Sequence, residues 1–141
     1  MRLKYITSRM LIGLLVVIGI WGIGLSLGHS QSEQYVDVLI KDFEFRSTQM
    51  PLQLNAQTVI NVVNKDEVRH DFGSSIFYNS NTRVESGGVI AYGNDVGGAF
   101  IEPGHKATFH FVIRESGRYH FQCSIHPDMK GEILLISAGT A

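Results

Sequence analysis

Two stretches of strict alternation near the end of the chain constrain its fold most. In residues 106–113 (KATFHFVI), Ala107, Phe109, Phe111 and Ile113 fall on one face, and in residues 117–123 (GRYHFQC), Tyr119, Phe121 and Cys123 do the same. A repeat of two is the side-chain period of a strand with one face in a core. Earlier segments read the same way. Residues 35–45 (YVDVLIKDFEF) alternate Val36, Val38 and Ile40, and residues 58–64 (TVINVVN) run into a charged turn, Lys65-Asp66-Glu67. Residues 68–77 carry His70, a short segment at 50–54 opens on Met50-Pro51, and residues 130–137 (KGEILLIS) close the series. Glycine, proline and asparagine punctuate these segments, and no amphipathic helix pattern follows residue 28. The pattern predicts an all-β antiparallel sandwich. Residues 79–104 read as one long connection, with glycines at 87, 88, 93, 97 and 98 and a candidate short strand at 89–92. Phe77, Tyr78, Tyr92 and Phe100 are expected in the core, with an apolar partner patch around the long loop as the alternative.

The first 28 residues differ in kind. Arg2, Lys4 and Arg9 precede an uncharged apolar run from Met10 to Leu27, 18 residues long. A basic start followed by such a run is an export signal. It exceeds the ~7–15-residue core of a cleaved signal peptide and approaches the ~20 residues that span a bilayer. The expectation is an N-terminal hydrophobic leader or anchor helix over 1–28, with residues 10–27 as a membrane tether if it is retained. A polar tether follows at 29–34 and one domain at 35–141. Positive-inside topology places that domain outside the cytoplasm, in a periplasm or on the outer face of the membrane. All 13 acidic residues and 9 of the 12 Lys and Arg lie beyond residue 28, a net charge of −4 there. That modest acidity argues against nucleic acid as a partner.

The chain has a single cysteine, so an internal disulfide is ruled out. Cys123, His126 and Met129 are spaced C-x2-H-x2-M. Cys123 ends one strand, and the chain must turn back toward Lys130, so a tight turn aims all three side chains at one point. Thiolate, imidazole and thioether form a soft set that suits copper better than zinc, although Cys and His also bind zinc. Two histidines and a cysteine with a weak axial methionine make the blue-copper arrangement, which needs a second histidine. His70, just after a charged turn and 53 residues earlier, is the candidate. His110 and His120 alternate with core aromatics and are expected to face outward.

The segment from Tyr119 to Gly131 (YHFQCSIHPDMKG) resembles the C-terminal ligand loop of the cupredoxins, the family of plastocyanin, pseudoazurin and amicyanin, with the short spacing of amicyanin. Arg69-His70-Asp71-Phe72 matches the position of the family's first histidine, and Pro103-Gly104 followed by Ala107-Thr108-Phe109 fits its later strands. The resemblance covers about residues 35–137. It implies a Greek-key sandwich and one copper ion per chain, cycling between Cu(I) and Cu(II). The implied ligands are His70, Cys123, His126 and Met129, with Met129 axial and His126 near solvent. It also implies a departure: many members carry asparagine after the first histidine, where the amide ties the two ligand loops together, and here the residue is Asp71. An ionised carboxylate can only accept hydrogen bonds, and Ser124 is the nearest candidate donor.

The function expected is a non-enzymatic electron carrier between a donor and an acceptor redox protein docking near His126. Copper binding or handling is the alternative, weakened by the small number of methionines (4, two of them in the leader). A multicopper oxidase or nitrite reductase would need further histidines, and neither a His-x-His pair nor a histidine beside Cys123 is present.

Overall fold

The computed structural model describes residues 32–48, 52–78 and 80–135. The predicted leader at 1–28 and Met50 lie outside the described residues. No helix among the described residues is long and apolar enough to cross a membrane.

Among the described residues, ten strands form two facing sheets. In chain order they are β1 (Gln34–Lys41), β2 (Glu44–Ser47), β3 (Gln57–Asn64), β4 (His70–Ser74), β5 (Thr82–Ser86), β6 (Val89–Gly93), β7 (Gly98–Ile101), β8 (Lys106–Val112), β9 (Gly117–Cys123) and β10 (His126–Leu135). One sheet runs β2-β1-β3-β8-β5-β6 and the other β10-β9-β4-β7. The alternating faces are buried as the sequence requires: Val36, Val38 and Ile40 on β1, Ala107, Phe109 and Phe111 on β8 with Ile113 just beyond it, and Phe121 and Cys123 on β9. Phe72, Phe77, Phe109 and Phe111 are almost wholly buried. Phe77 and Phe109 stack at 4.6 Å. Each such ring contributes roughly 1.5–3 kcal/mol through burial, so this aromatic cluster fastens the two sheets together.

The structure corrects five expectations. The sandwich is not purely antiparallel, because β1 and β3 pair in parallel. After the β1–β2 hairpin the chain crosses to the other side of β1 and so arrives running in β1's direction. The 79–104 connection holds three strands, β5, β6 and β7. They are only four or five residues long; β6 coincides with the short strand expected at 89–92, β7 shows no alternation, and β5 alternates over just Thr82 and Val84. Tyr78, Tyr92 and Phe100 are exposed rather than core; only Phe77 of that set is buried. The guanidinium of Arg83 lies 5.9 Å from the centre of the Tyr92 ring, and that of Arg69 lies 5.6 Å from the centre of Phe100, so cation–π contacts do part of what burial was expected to do. Finally, the last strand starts at His126 rather than Lys130, and the first segment, 35–45, breaks into two strands at Asp42-Phe43.

Close backbone approach fixes two glycines near the site. A β-carbon on Gly98 would lie 2.3 Å from the Phe72 carbonyl oxygen, and one on Gly131 would lie 2.2 Å from the Phe121 ring. Gly98 therefore lets β7 close on β4, and Gly131 lets β10 close over the ring beside Cys123.

Candidate metal centre

Cys123 ends β9, and residues 124–125 turn the chain so that His126 pairs directly with Cys123. The register then shifts: Lys130 faces Gln122, and residues 127–129 bulge out of the ladder. A bulge re-aims side chains. Pro127, which has no N–H to give to a ladder, is tolerated there, and Met129 turns inward and is buried. The C-x2-H-x2-M spacing is thus a two-residue turn followed by a bulge.

His70 arrives from the other side of the sequence, as the first residue of β4. Its ring is fully buried. The turn before it is built around Asn64, also fully buried. The Asn64 amide donates to the Val68 carbonyl at 2.8 Å and to the Ile101 carbonyl at 2.9 Å, while its Oδ1 accepts from the Asp66 N–H at 2.9 Å. This fixes the 64–68 turn and with it the start of β4.

The three nitrogen and sulfur donors converge. Nδ1 of His70 lies 3.8 Å from the Cys123 sulfur and Nδ1 of His126 lies 3.5 Å from it. All three donor atoms lie within 4.8 Å of one another. An ion bonded at about 2.0–2.3 Å at the centre of a triangle separates its donors by about 3.5–4 Å. The spacing therefore fits a trigonal His2Cys site, and these residues fit copper by softness and geometry. His110 and His120 stand apart and instead lie near the carboxylates of Glu85 and Glu132.

Asp71 bridges the two ligand segments. Its Oδ1 accepts from the Ser124 N–H at 2.7 Å and from the Ser124 hydroxyl at 3.0 Å, and the Asp71 N–H donates to the Cys123 sulfur at 3.4 Å. The inter-loop tie thus survives the change from amide to carboxylate, with Ser124 supplying both donors. The Cys123 thiol also donates to Asp71 Oδ1 at 3.2 Å. Burial pushes the Cys123 thiol up; the thiol's own bond to Asp71 and that carboxylate's charge add to the rise, against the lowering effect of backbone N–H donors. A metal must therefore displace a proton held more tightly than in a free cysteine.

Sequence reasoning missed two residues here. Asp66 accepts from His70 Nε2 at 2.9 Å, and also from the backbone N–H of Asp42 at 2.7 Å and of Phe43 at 3.0 Å. Burial raises the Asp66 pKa, but these three donors outweigh it and leave the carboxyl below its ordinary value. An ionised carboxylate at Nε2 assigns the ring proton to that nitrogen and leaves Nδ1 free for a metal, the carboxylate–histidine–metal pattern. Phe43 stands edge-on to both imidazoles, 5.3 Å from His70 and 5.0 Å from His126 between ring centres. The signal available in sequence was slight: an aspartate four residues before the histidine, and a non-glycine pair between two alternating runs.

Comparison with known proteins agrees with this architecture. The sequence profile of the cupredoxin-like domain matches residues 14–135. No curated protein matches. Among solved structures, a multicopper oxidase from Pediococcus acidilactici superposes with a TM-score of 0.55 at 12% identity, over 83% of this chain and 29% of that one. The chain thus spans less than a third of that enzyme, and the likeness is one of fold. A multicopper oxidase from Campylobacter jejuni (TM-score 0.47, 12% identity, 74% of this chain and 30% of that one) and an oxidised mutant of amicyanin (0.44, 15%, 71% and 80%) are more distant. With a family match over most of its length and a two-sheet sandwich bringing two histidines to its one cysteine, this chain belongs to the cupredoxin-like family.

Proposed function

We propose that the protein is a mononuclear copper electron carrier, exported from the cytoplasm, which passes single electrons between redox partners that dock near His126. His70, Cys123 and His126 would hold the ion, and Met129, buried on the bulge that follows His126, would be a fourth, weaker ligand. Copper supplies the one-electron couple; the chain's own residues fix the donor geometry. The observation that carries the reading is the convergence of both imidazole Nδ1 atoms on the Cys123 sulfur within a sandwich closed by hydrogen bonds on either side. A donor set held this firmly changes shape little between oxidation states, which favours transfer over storage or delivery. The other chemistry of the site agrees: His126 is only partly buried, next to exposed Ile125, and offers a short path to a partner.

The test is the visible and electron paramagnetic resonance spectrum of the copper-loaded protein and of Cys123→Ser. An intense thiolate-to-copper band is expected in the first and its complete loss in the second. Persistence of the band in the variant would remove Cys123 from the site. Asp71 offers a finer measurement. Its carboxylate beside the sulfur adds negative charge, which favours the more highly charged Cu(II), so Asp71→Asn should raise the reduction potential; an unchanged or lower potential contradicts that role.

A further inference from the structure

The β1–β2 hairpin has a two-residue turn, with Lys41 paired to Glu44 and Asp42-Phe43 between them. Both turn residues are left-handed, with φ of 58° and 59°. Such turns favour Asn-Gly, Asp-Gly or Gly-Gly, because a β-carbon in this conformation crowds the backbone. For a bulky residue such as phenylalanine the conformation is a genuine outlier. Outliers of this kind persist only where the surroundings over-determine them, and they gather at functional sites. The surroundings here are explicit. The Asp66 carboxylate accepts both turn N–H groups and the His70 ring at once. The ring that the turn projects lands edge-on to both histidines and still leaves Phe43 51% exposed. An apolar ring half in water at a position that glycine would fill better gives little to the core. What it does cover is the two imidazoles.

We propose that Phe43 is a shielding residue of the metal centre, held over His70 and His126 by the clasp of Asp66 on the Asp42-Phe43 turn, and that it excludes small exogenous ligands from the ion. Asp66 is then a positioning residue with two linked tasks, fixing the tautomer of His70 and the path of the turn. The inference rests on the copper reading above.

The experiment uses the full chain loaded with Cu(II) and titrated with azide, followed by absorption and electron paramagnetic resonance. The unaltered protein should keep its spectrum. Phe43→Ala should bind azide on the order of tenfold more tightly, with new bands, and lose copper to a chelator faster by a similar factor, as disturbing the surroundings of a metal ligand commonly does. Phe43→Leu should restore most of the shielding, a rescue that a purely structural role in the turn would not give. Phe43→Gly suits the left-handed turn, so it separates loss of the ring from misfolding and should behave as Phe43→Ala does. Identical azide response across all four proteins overturns the shield. Absence of a thiolate-to-copper band in the unaltered protein overturns the copper reading itself and the shield with it.

Discussion

The sandwich makes the same turn twice, with opposite residues. The β5–β6 hairpin pairs Ser86 with Val89 across Gly87-Gly88, both left-handed at φ of 58° and 81°. The β1–β2 hairpin uses nearly the same backbone for Asp42-Phe43. At Gly87 and Gly88 an added β-carbon would meet open space, so glycine serves the backbone alone. At Asp42 and Phe43 the backbone penalty is accepted, and a carboxylate from a different turn, Asp66, binds both amides. The difference teaches that local turn chemistry yields where a side chain is needed at a place only the tertiary fold defines. The two hairpins form opposite edges of one sheet, and the β1–β2 turn is the one that sets a ring against the histidines of the donor cluster.

The comparison can be broken most severely at the clasp. Asp66→Ala leaves the buried His70 Nε2 and two turn amides without their acceptor, and the metal-free protein should lose about 2–3 kcal/mol in urea unfolding. A loss within about 0.5 kcal/mol of zero, the range of ordinary surface changes, would mean that water replaces the carboxylate and that the two turns do not differ in support.

Transplanting the first turn tests the same point from the other side. Gly87→Asp combined with Gly88→Phe puts the Asp-Phe pair where no clasp exists, and should cost about 2 kcal/mol from left-handed strain. Equal stability would show that Asp-Phe suits this turn intrinsically and needs no help.

A smaller effect should sharpen the account by its pH dependence. The Asp66 carboxyl is held below its ordinary value of 3.8 in the folded protein. Its stabilising contribution is therefore complete above that value and is lost as pH falls through the lower folded-state value. The stability gap between the metal-free protein and Asp66→Asn should be widest near neutrality and close on strong acidification. A gap independent of pH would show that the hydrogen bonds, not the charge, hold the turn.

Much of the fold was legible because burial with a period of two leaves a plain record. β1, β8 and β9 carry it, and their buried residues are those the alternation named, with Tyr119 only partly covered; β3 instead buries Thr58, Val59 and Ile60 in a row. Of the short strands in 79–104, β6 was legible as the candidate at 89–92, whereas β5 and β7 were not. They are exposed or pair for only a few residues, and Tyr92 and Phe100 are apolar residues that arginines cover rather than a core. The parallel pairing of β1 with β3 was equally invisible, since alternation fixes a strand's face but not its neighbour. At the site, the meeting of Cys123 and His126 was legible because a two-residue turn joins them, and Met129, expected with them, is buried on the bulge that follows. His70 was inferred from its place in the family pattern, and the structure sets it 3.8 Å from the sulfur.

The sequence by itself determined a β-sandwich, a single thiol, and a local loop rich in soft donors, because side-chain period, cysteine count and ligand spacing are properties of short segments. Only the tertiary structure decided that Asp71 accepts from Ser124 and the Cys123 thiol at once, that Asp66 joins a histidine ring to a hairpin 23 residues before it, and that Phe43 stands against both histidine rings. Each of these is a contact between segments far apart in the chain. No local preference encodes such a contact, and in the case of Phe43 the local preference for glycine points the other way.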